Sequence, residues 1–326
     1  MSNLDRNPGL TQVGGRSGVA DRAVYEMFAG RQVVLGESTK VRRLLPNLGR
    51  RLVGAWCFAD HYGPDDIATG PGMQVPPHPH MGLQTVSWLL AGEIHHRDSL
   101  GNNQVVRAGE LGLMTAGHAI AHAEQSPASH TALLHGVQLW VALPDDVRSM
   151  APAWAHHPDL PALTDTGLTA TVIMGSLAGA VSPGQAHSPL VGADLALDAG
   201  AQALLPLEPD FEHAVLAMSG SFDVDGVDVA PGSMLYLGCG RRDLRLRSGG
   251  GARALLLGGE PFDEQIVMWW NFVGRTSEEI AMARDDWAAG NRFGVVRGYA
   301  GDPLPAPPLA AGRLKPGGGT RRPIGD

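Results

Sequence analysis

The chain has 326 residues, 44% of them hydrophobic, and a formal net charge of −8 at pH 7. That length fits two domains or one large one, and the hydrophobic share excludes global disorder. The acidic balance speaks against direct nucleic-acid contact or an anionic membrane surface, and two cysteines, Cys57 and Cys239, exclude a disulfide scaffold or a Cys-rich zinc fold.

Residues 1–23 are expected to form a mobile N-terminal segment, since the first twenty are polar and Gly-rich. They hold Asp5, Arg6, Arg16 and Asp21 and no apolar leader core, and nowhere does the chain reach the ~18 apolar residues of a membrane span. A cytoplasmic protein without membrane contact is the expectation. From Val24 the chain reads as short strands at Gln32–Leu35, Leu83–Leu90, Gln104–Arg107, Gly112–Thr115 and Gly136–Leu143, parted by turn signals such as Gly63-Pro64, Gly70-Pro71 and Pro144-Asp145. Pro152, Pro158 and Pro161 mark 151–165 as a linker between units at 24–150 and 166–300. A second strand-rich block follows, with Thr169–Met174, Ala203–Leu207, Ala214–Ser219, Met234–Leu237 and Ala254–Leu257. The pattern is all-β, an antiparallel sandwich or barrel. The Gly-ended turns at Gly92 and Gly109, matched by Gly220 and Gly232, suggest an internal repeat. Near the end, Thr276 and Glu279 form a capping box, and Ile280, Ala283 and Trp287 share one face of a C-terminal α-helix. The 301–326 tail is rich in Pro and Gly.

Eight of the 13 histidines lie between His61 and His130. In Pro77-His78-Pro79-His80 the two imidazoles are two residues apart, so a strand places them on one face. His122-Ala123-Glu124 has the same spacing. Two facing strands of a small barrel can bring together His78, His80, His122 and Glu124, a set suited to Fe(II), Mn, Co, Ni, Cu or Zn. Four protein ligands leave an octahedral ion positions for water, substrate or O₂, or close a tetrahedral structural zinc site.

The stretches His78-Pro79-His80-Met81-Gly82-Leu83-Gln84-Thr85-Val86 and Thr115-Ala116-Gly117-His118-Ala119-Ile120-Ala121-His122-Ala123-Glu124 resemble the pirin family of bicupins. Phe58-Ala59-Asp60-His61-Tyr62-Gly63-Pro64 and Trp269-Trp270-Asn271-Phe272-Val273 resemble further family segments, so the likeness spans about residues 24–300. The resemblance implies two cupin jelly-roll β-barrels in tandem. It implies iron in the N-terminal barrel, on His78, His80, His122 and Glu124, and no metal in the C-terminal one. Residues 166–260 agree in having only His187 and His213 and no HxH. Glu212 and His213 are adjacent and so take opposite faces of a strand. The chain departs from the family where Gln84 stands in place of a carboxylate and where His118 replaces a glycine. His118 could line the site, support a ligand or face solvent.

Other residues have quieter readings. Of His95 and His96 one enters the barrel and one points away, with surface or rim roles favoured over ligation. His61 with Asp60 either supports the site or anchors a turn before Gly63-Pro64. Cys57 and Trp88 read as core. Lys40, Arg42, Arg43, Arg50 and Arg51 read as a solvated basic surface or, second, a partner patch. Some relatives in the family open flavonols with O₂. By that likeness the chain is a quercetin-type dioxygenase for a small aromatic or enol substrate, with Glu124 as ligand and catalytic base. Others bind a protein partner in an iron-dependent way, which is the alternative reading.

Overall fold

The computed structural model describes residues 4–15, 20–35 and 39–309, so parts of the 1–23 segment and of the 301–326 tail lie outside the described residues. The fold is mostly β, with one helix among the described residues. A seven-stranded sheet runs in the order Ala153–His157, Leu111–Thr115, Leu83–Ala91, Leu133–Ala142, Trp56–Asp66, Thr39–Leu45, Arg31–Leu35. It faces a four-stranded sheet of Gln74–His80, Ile120–Gln125, Glu93–Asp98 and Asn103–Arg107. Together they close the first barrel. The second repeats the plan. Its large sheet holds Ala162–Asp165, Leu168–Leu177, Leu190–Leu197, Ala252–Gly259, Glu212–Ser219, Ser233–Gly238 and Glu26–Ala29, facing Gln202–Pro206, Asp243–Arg247, Phe222–Val224 and Val227–Val229.

The stretch between the barrels is not irregular. Ala153–His157 completes the edge of the first large sheet, and Ala162–Asp165 opens the second. Glu26–Ala29, which precedes the first barrel in sequence, pairs with Ser233–Gly238 of the second. Thr11–Gly14 pairs with Gln265–Trp269.

The two large sheets pack back to back, which explains their unbroken apolar runs. On Ala252–Gly259 the side chains alternate between two cores. Leu255 and Leu257 join the core shared by the halves, while Ala254 and Leu256 fill the second barrel. Indole nitrogens bind the seam: Trp56 Nε1 donates to the carbonyls of Val191 and Gly258, each at 3.1 Å, and Trp88 Nε1 donates to Asp194 at 2.9 Å. Gly54 has a φ of +53°, and a Cβ there would lie 2.8 Å from the Gly259 Cα, so only glycine lets these backbones approach. Its N–H donates to Glu212 at 2.6 Å. Glu212 thus faces the seam and His213 falls on the opposite face of the same strand, fully buried.

The helix runs from Ser277 to Ala288 after the Thr276 cap, whose hydroxyl accepts the Glu279 N–H at 3.2 Å. The Glu279 carboxylate takes the Arg275 N–H at 2.8 Å, so the reciprocal half of the capping box falls one residue early. Ile280 and Ala283 are buried beside the hairpin formed by Gln265–Trp269 and Phe272–Gly274. No helix among the described residues is long and apolar enough to cross a membrane.

Candidate metal centre

The paired histidines sit on Gln74–His80, an edge strand of the four-stranded sheet, where Pro77 and Pro79 are tolerated because no neighbour needs their missing N–H. The tail caps that edge, with the Leu304 N–H donating to the Pro77 carbonyl at 2.8 Å. The partner strand, Ile120–Gln125, runs antiparallel and sets His122 directly opposite His78. Ring centroids are 5.0 Å apart for His78 and His80, 4.3 Å for His78 and His122, and 4.9 Å for His80 and His122. One nitrogen from each ring lies within 4.8 Å of the other two, and all three side chains are buried.

Each ring is held from behind through Nδ1. His78 Nδ1 donates to the Pro76 carbonyl at 2.8 Å, and His80 Nδ1 donates to the Asn271 carbonyl at 3.1 Å. A carbonyl only accepts, so in both rings the proton is on Nδ1 and Nε2 keeps its lone pair. His122 Nδ1 faces His96 Nδ1 at 3.4 Å, and its Nε2 is buried with no hydrogen-bond partner among the described residues. Burial pushes His78 down to about 4 and holds His80 and His122 well below the usual histidine range. Neutral imidazoles are the ligating form. Three buried lone pairs crowded together, one lacking any donor, are what a divalent cation would satisfy, so the residues present fit a metal.

Glu124 is buried on the strand of His122, opposite a β-bulge between Val75 and His78 of the partner strand, and is not in the close three-nitrogen group. Ser87 Oγ lies 3.2 Å from Glu124 Oε1 and 2.9 Å from the Gln138 side chain. One hydroxyl has one proton. The nearer Gln138 atom is Oε1, so that proton is offered to two acceptors, the Gln138 amide oxygen and the Glu124 carboxylate.

Several residues take places that the sequence did not indicate. His96 is not at the surface or rim. It is buried, stacks on Trp154 with ring centroids 3.6 Å apart and contacts Asp98 at 3.1 Å. His95 is the half-exposed member of the pair. Burial works against the Asp98 charge, but hydrogen bonds from His96 and Asn102 outweigh it and hold the carboxyl below its usual range. The i, i+2 spacing of His96 and Asp98 was a readable signal, the same one that marks His78 and His80.

His61 is not in a turn. Gly63-Pro64 lies inside Trp56–Asp66 as a bulge against Leu133–Ala142, and His61 Nε2 meets His135 Nε2 at 2.9 Å. Asp60 instead takes both arms of Arg43, at 2.9 and 2.8 Å. The basic cluster is therefore only partly a solvated surface. Arg43 is buried over the Phe58 ring, and Arg50 is buried over the Tyr236 ring and paired with Glu26 at 3.0 Å, while Lys40 and Arg42 are exposed. His118 is exposed and bonds the Met150 carbonyl at 3.1 Å. Gln84 is buried, donating to Thr115 and the Gln185 carbonyl. Cys57 and Trp88 are core as expected, and burial pushes the Cys57 thiol up to about 12.

Two antiparallel barrels of one topology, with three imidazoles converging inside the first, define a bicupin with a candidate metal centre in its N-terminal half. The family model named Pirin matches residues 38–141, and the Pirin C-terminal cupin domain matches 192–294. A Pseudomonas aeruginosa protein named "putative quercetin 2,3-dioxygenase" is 49% identical, covering 88% of this chain and 91% of its own. A Caulobacter vibrioides pirin-like protein is 36% identical over 81% of this chain and 93% of its own. The crystal structure of a quercetin 2,3-dioxygenase from Acinetobacter baumannii superposes with a TM-score of 0.86 at 41% identity, covering 89% of this chain and 97% of that one. The chain belongs to the pirin family.

Proposed function

We propose that this bicupin is a mononuclear metal dioxygenase that opens a chelating enol or flavonol of the quercetin type with O₂. The observation that carries the reading is the buried triad, with one nitrogen of each ring within 4.8 Å of the other two and each Nδ1 engaged by a neighbouring group. His78, His80 and His122, joined by Glu124, would hold the ion, with Fe(II) first and Mn, Ni, Co, Cu or Zn as alternatives. When bound, such a cation acidifies a chelating enol and provides a site for O₂. The chain's own part is positional. The Pro76 and Asn271 carbonyls orient His78 and His80, and the Ser87 hydroxyl stands against the Glu124 carboxylate. Glu124 is the group that would accept the substrate hydroxyl proton. The names of the Pseudomonas and Acinetobacter relatives support quercetin as the first substrate to try.

The test is aerobic incubation of the Fe(II)-loaded protein with quercetin, following loss of the flavonol absorbance and uptake of O₂. Turnover that His80→Ala abolishes supports the reading. Loss no faster than that of the His80→Ala control overturns it. The alternative, an iron-dependent binder of a protein partner, relied on the Arg42, Arg43, Arg50 and Arg51 patch, and Arg43 and Arg50 are buried in ion pairs.

A further inference from the structure

We propose that His96, gripped by Asp98 and stacked on Trp154, is a positioning residue that fixes the tautomer of His122 and so keeps His122 Nε2 a metal donor. The inference rests on reading the triad as a metal site and deepens it.

The argument is proton bookkeeping along one line of contacts. Asp98 ends the strand Glu93–Asp98 and closes the turn after it. Its Oδ1 accepts the backbone N–H groups of Leu100 and Asn102, both at 3.0 Å. Its Oδ2 accepts from Asn102 Nδ2 at 2.8 Å and lies 3.1 Å from His96 Nε2. An ionised carboxylate is acceptor-only, so His96 carries its proton on Nε2. The Nδ1 of a neutral His96 is then a lone pair, and it faces His122 Nδ1 at 3.4 Å. Two facing ring nitrogens need one proton between them, so His122 holds it on Nδ1. That leaves the lone pair on His122 Nε2, the nitrogen without a protein partner among the described residues.

This arrangement differs from the other two ligands in kind. His78 and His80 are set by backbone carbonyls, which no substitution of side chain can invert. His122 is set by a side-chain relay that can be reversed. Trp154 keeps the relay in register, because its indole lies only 7° from parallel to the His96 ring. It comes from Ala153–His157, the strand that the inter-barrel stretch adds to the opposite sheet.

Asp98→Asn is the discriminating variant. The Leu100 and Asn102 N–H groups demand an acceptor where Oδ1 sits, so the amide oxygen stays there and the amide nitrogen faces His96, with the Asn102 side-chain amide turned to present its oxygen to that nitrogen. His96 then accepts at Nε2, carries its proton on Nδ1 and donates to His122 Nδ1. The His122 proton is driven to Nε2, where it blocks ligation. The shape of the site hardly changes.

The experiment titrates the full-length metal-free protein with Co(II), using its visible absorption, for wild type, Asp98→Asn and His96→Phe. Nitrogen NMR shifts of His122 in the metal-free protein report its tautomer directly. We expect affinity to drop by about 10–100-fold in Asp98→Asn, as for loss of an outer partner of a ligating histidine, with His122 converted from the Nδ1–H to the Nε2–H form. His96→Phe keeps the stack on Trp154 and should lose affinity by a similar factor, at unchanged circular dichroism. A wild type that binds Co(II), beside an Asp98→Asn protein with equal affinity and the same His122 tautomer, overturns the relay while leaving the metal reading intact. A wild type that binds no metal overturns both.

Discussion

The two barrels share one plan and differ in what it holds. In each four-stranded sheet the spatial order is the first strand in sequence, then the fourth, the second and the third. Gln74–His80 of the first barrel therefore corresponds to Gln202–Pro206 of the second, and Ile120–Gln125 corresponds to Asp243–Arg247. In the first pair of strands the inward positions include His78, His80, His122 and Glu124. In the second pair the buried positions are Ala203, Leu205, Leu244 and Leu246. On these two strands of the second barrel, aliphatic side chains take the places that the histidines and Glu124 hold in the first. The first interior carries three imidazoles that burial holds neutral and that could share a cation. One framework thus appears twice, and the candidate metal site is built into one copy of it.

The comparison can be broken most directly at the ligands. His122→Ala should abolish measurable Co(II) or Fe(II) binding in a metal titration, while the circular dichroism of the folded chain stays. In wild type, metal at about one hundred times its Kd should add about 2.7 kcal/mol of stability, and hydrogen exchange should show the added protection in the first barrel and not in the second. Leu246→Ala makes the converse cut. It should cost about 2–5 kcal/mol by opening a cavity in the second core, read as a lower urea midpoint, with metal affinity unchanged.

Acid should act more on the first barrel. His78 stays neutral in the folded chain down to about 4, whereas the unfolded chain takes up that proton at the usual 6.5. Unfolding therefore binds protons in this window, and stability is lost as pH falls through it. Each such histidine sets a slope of up to about 1.4 kcal/mol per pH unit. His61, His80 and His122 act in the same sense in the first barrel, while His213, pushed down to about 4, acts in the second. Urea midpoints from pH 7 to 4 should fall, and exchange protection should fail first around the triad. The smallest effect belongs to neither barrel. Thr276→Ala removes the helix cap and should cost about 1 kcal/mol, lowering the melting temperature without touching metal binding.

Much of this molecule was local in the chain. An i, i+2 spacing on a strand fixes a shared face, so His78 with His80 and His122 with Glu124 could be read as pairs before any fold was known. Short strands, turn glycines and the Thr276 cap are local too, and with the pirin motifs they were enough for an all-β bicupin ending in a helix. What lay beyond reach depends on strands far apart in sequence. The register of Trp56–Asp66 against Thr39–Leu45 buries Arg43 on Asp60, where the sequence offered only a run of positive charge. The Trp269–Val273 segment was visible as a motif, but its use was not. Trp270, at a φ of +52°, turns the chain so that the Asn271 carbonyl reaches His80 across 191 residues.

The strand that Trp154 rides on read as a connector, and His96 read as rim, because nothing local says which sheet will face which. The amino-acid order alone thus determined which side chains could serve a metal, since strand geometry is a nearest-neighbour property. Only the closed barrel decided which groups stand behind them, because cross-sheet contacts are settled by the packing of two faces at once.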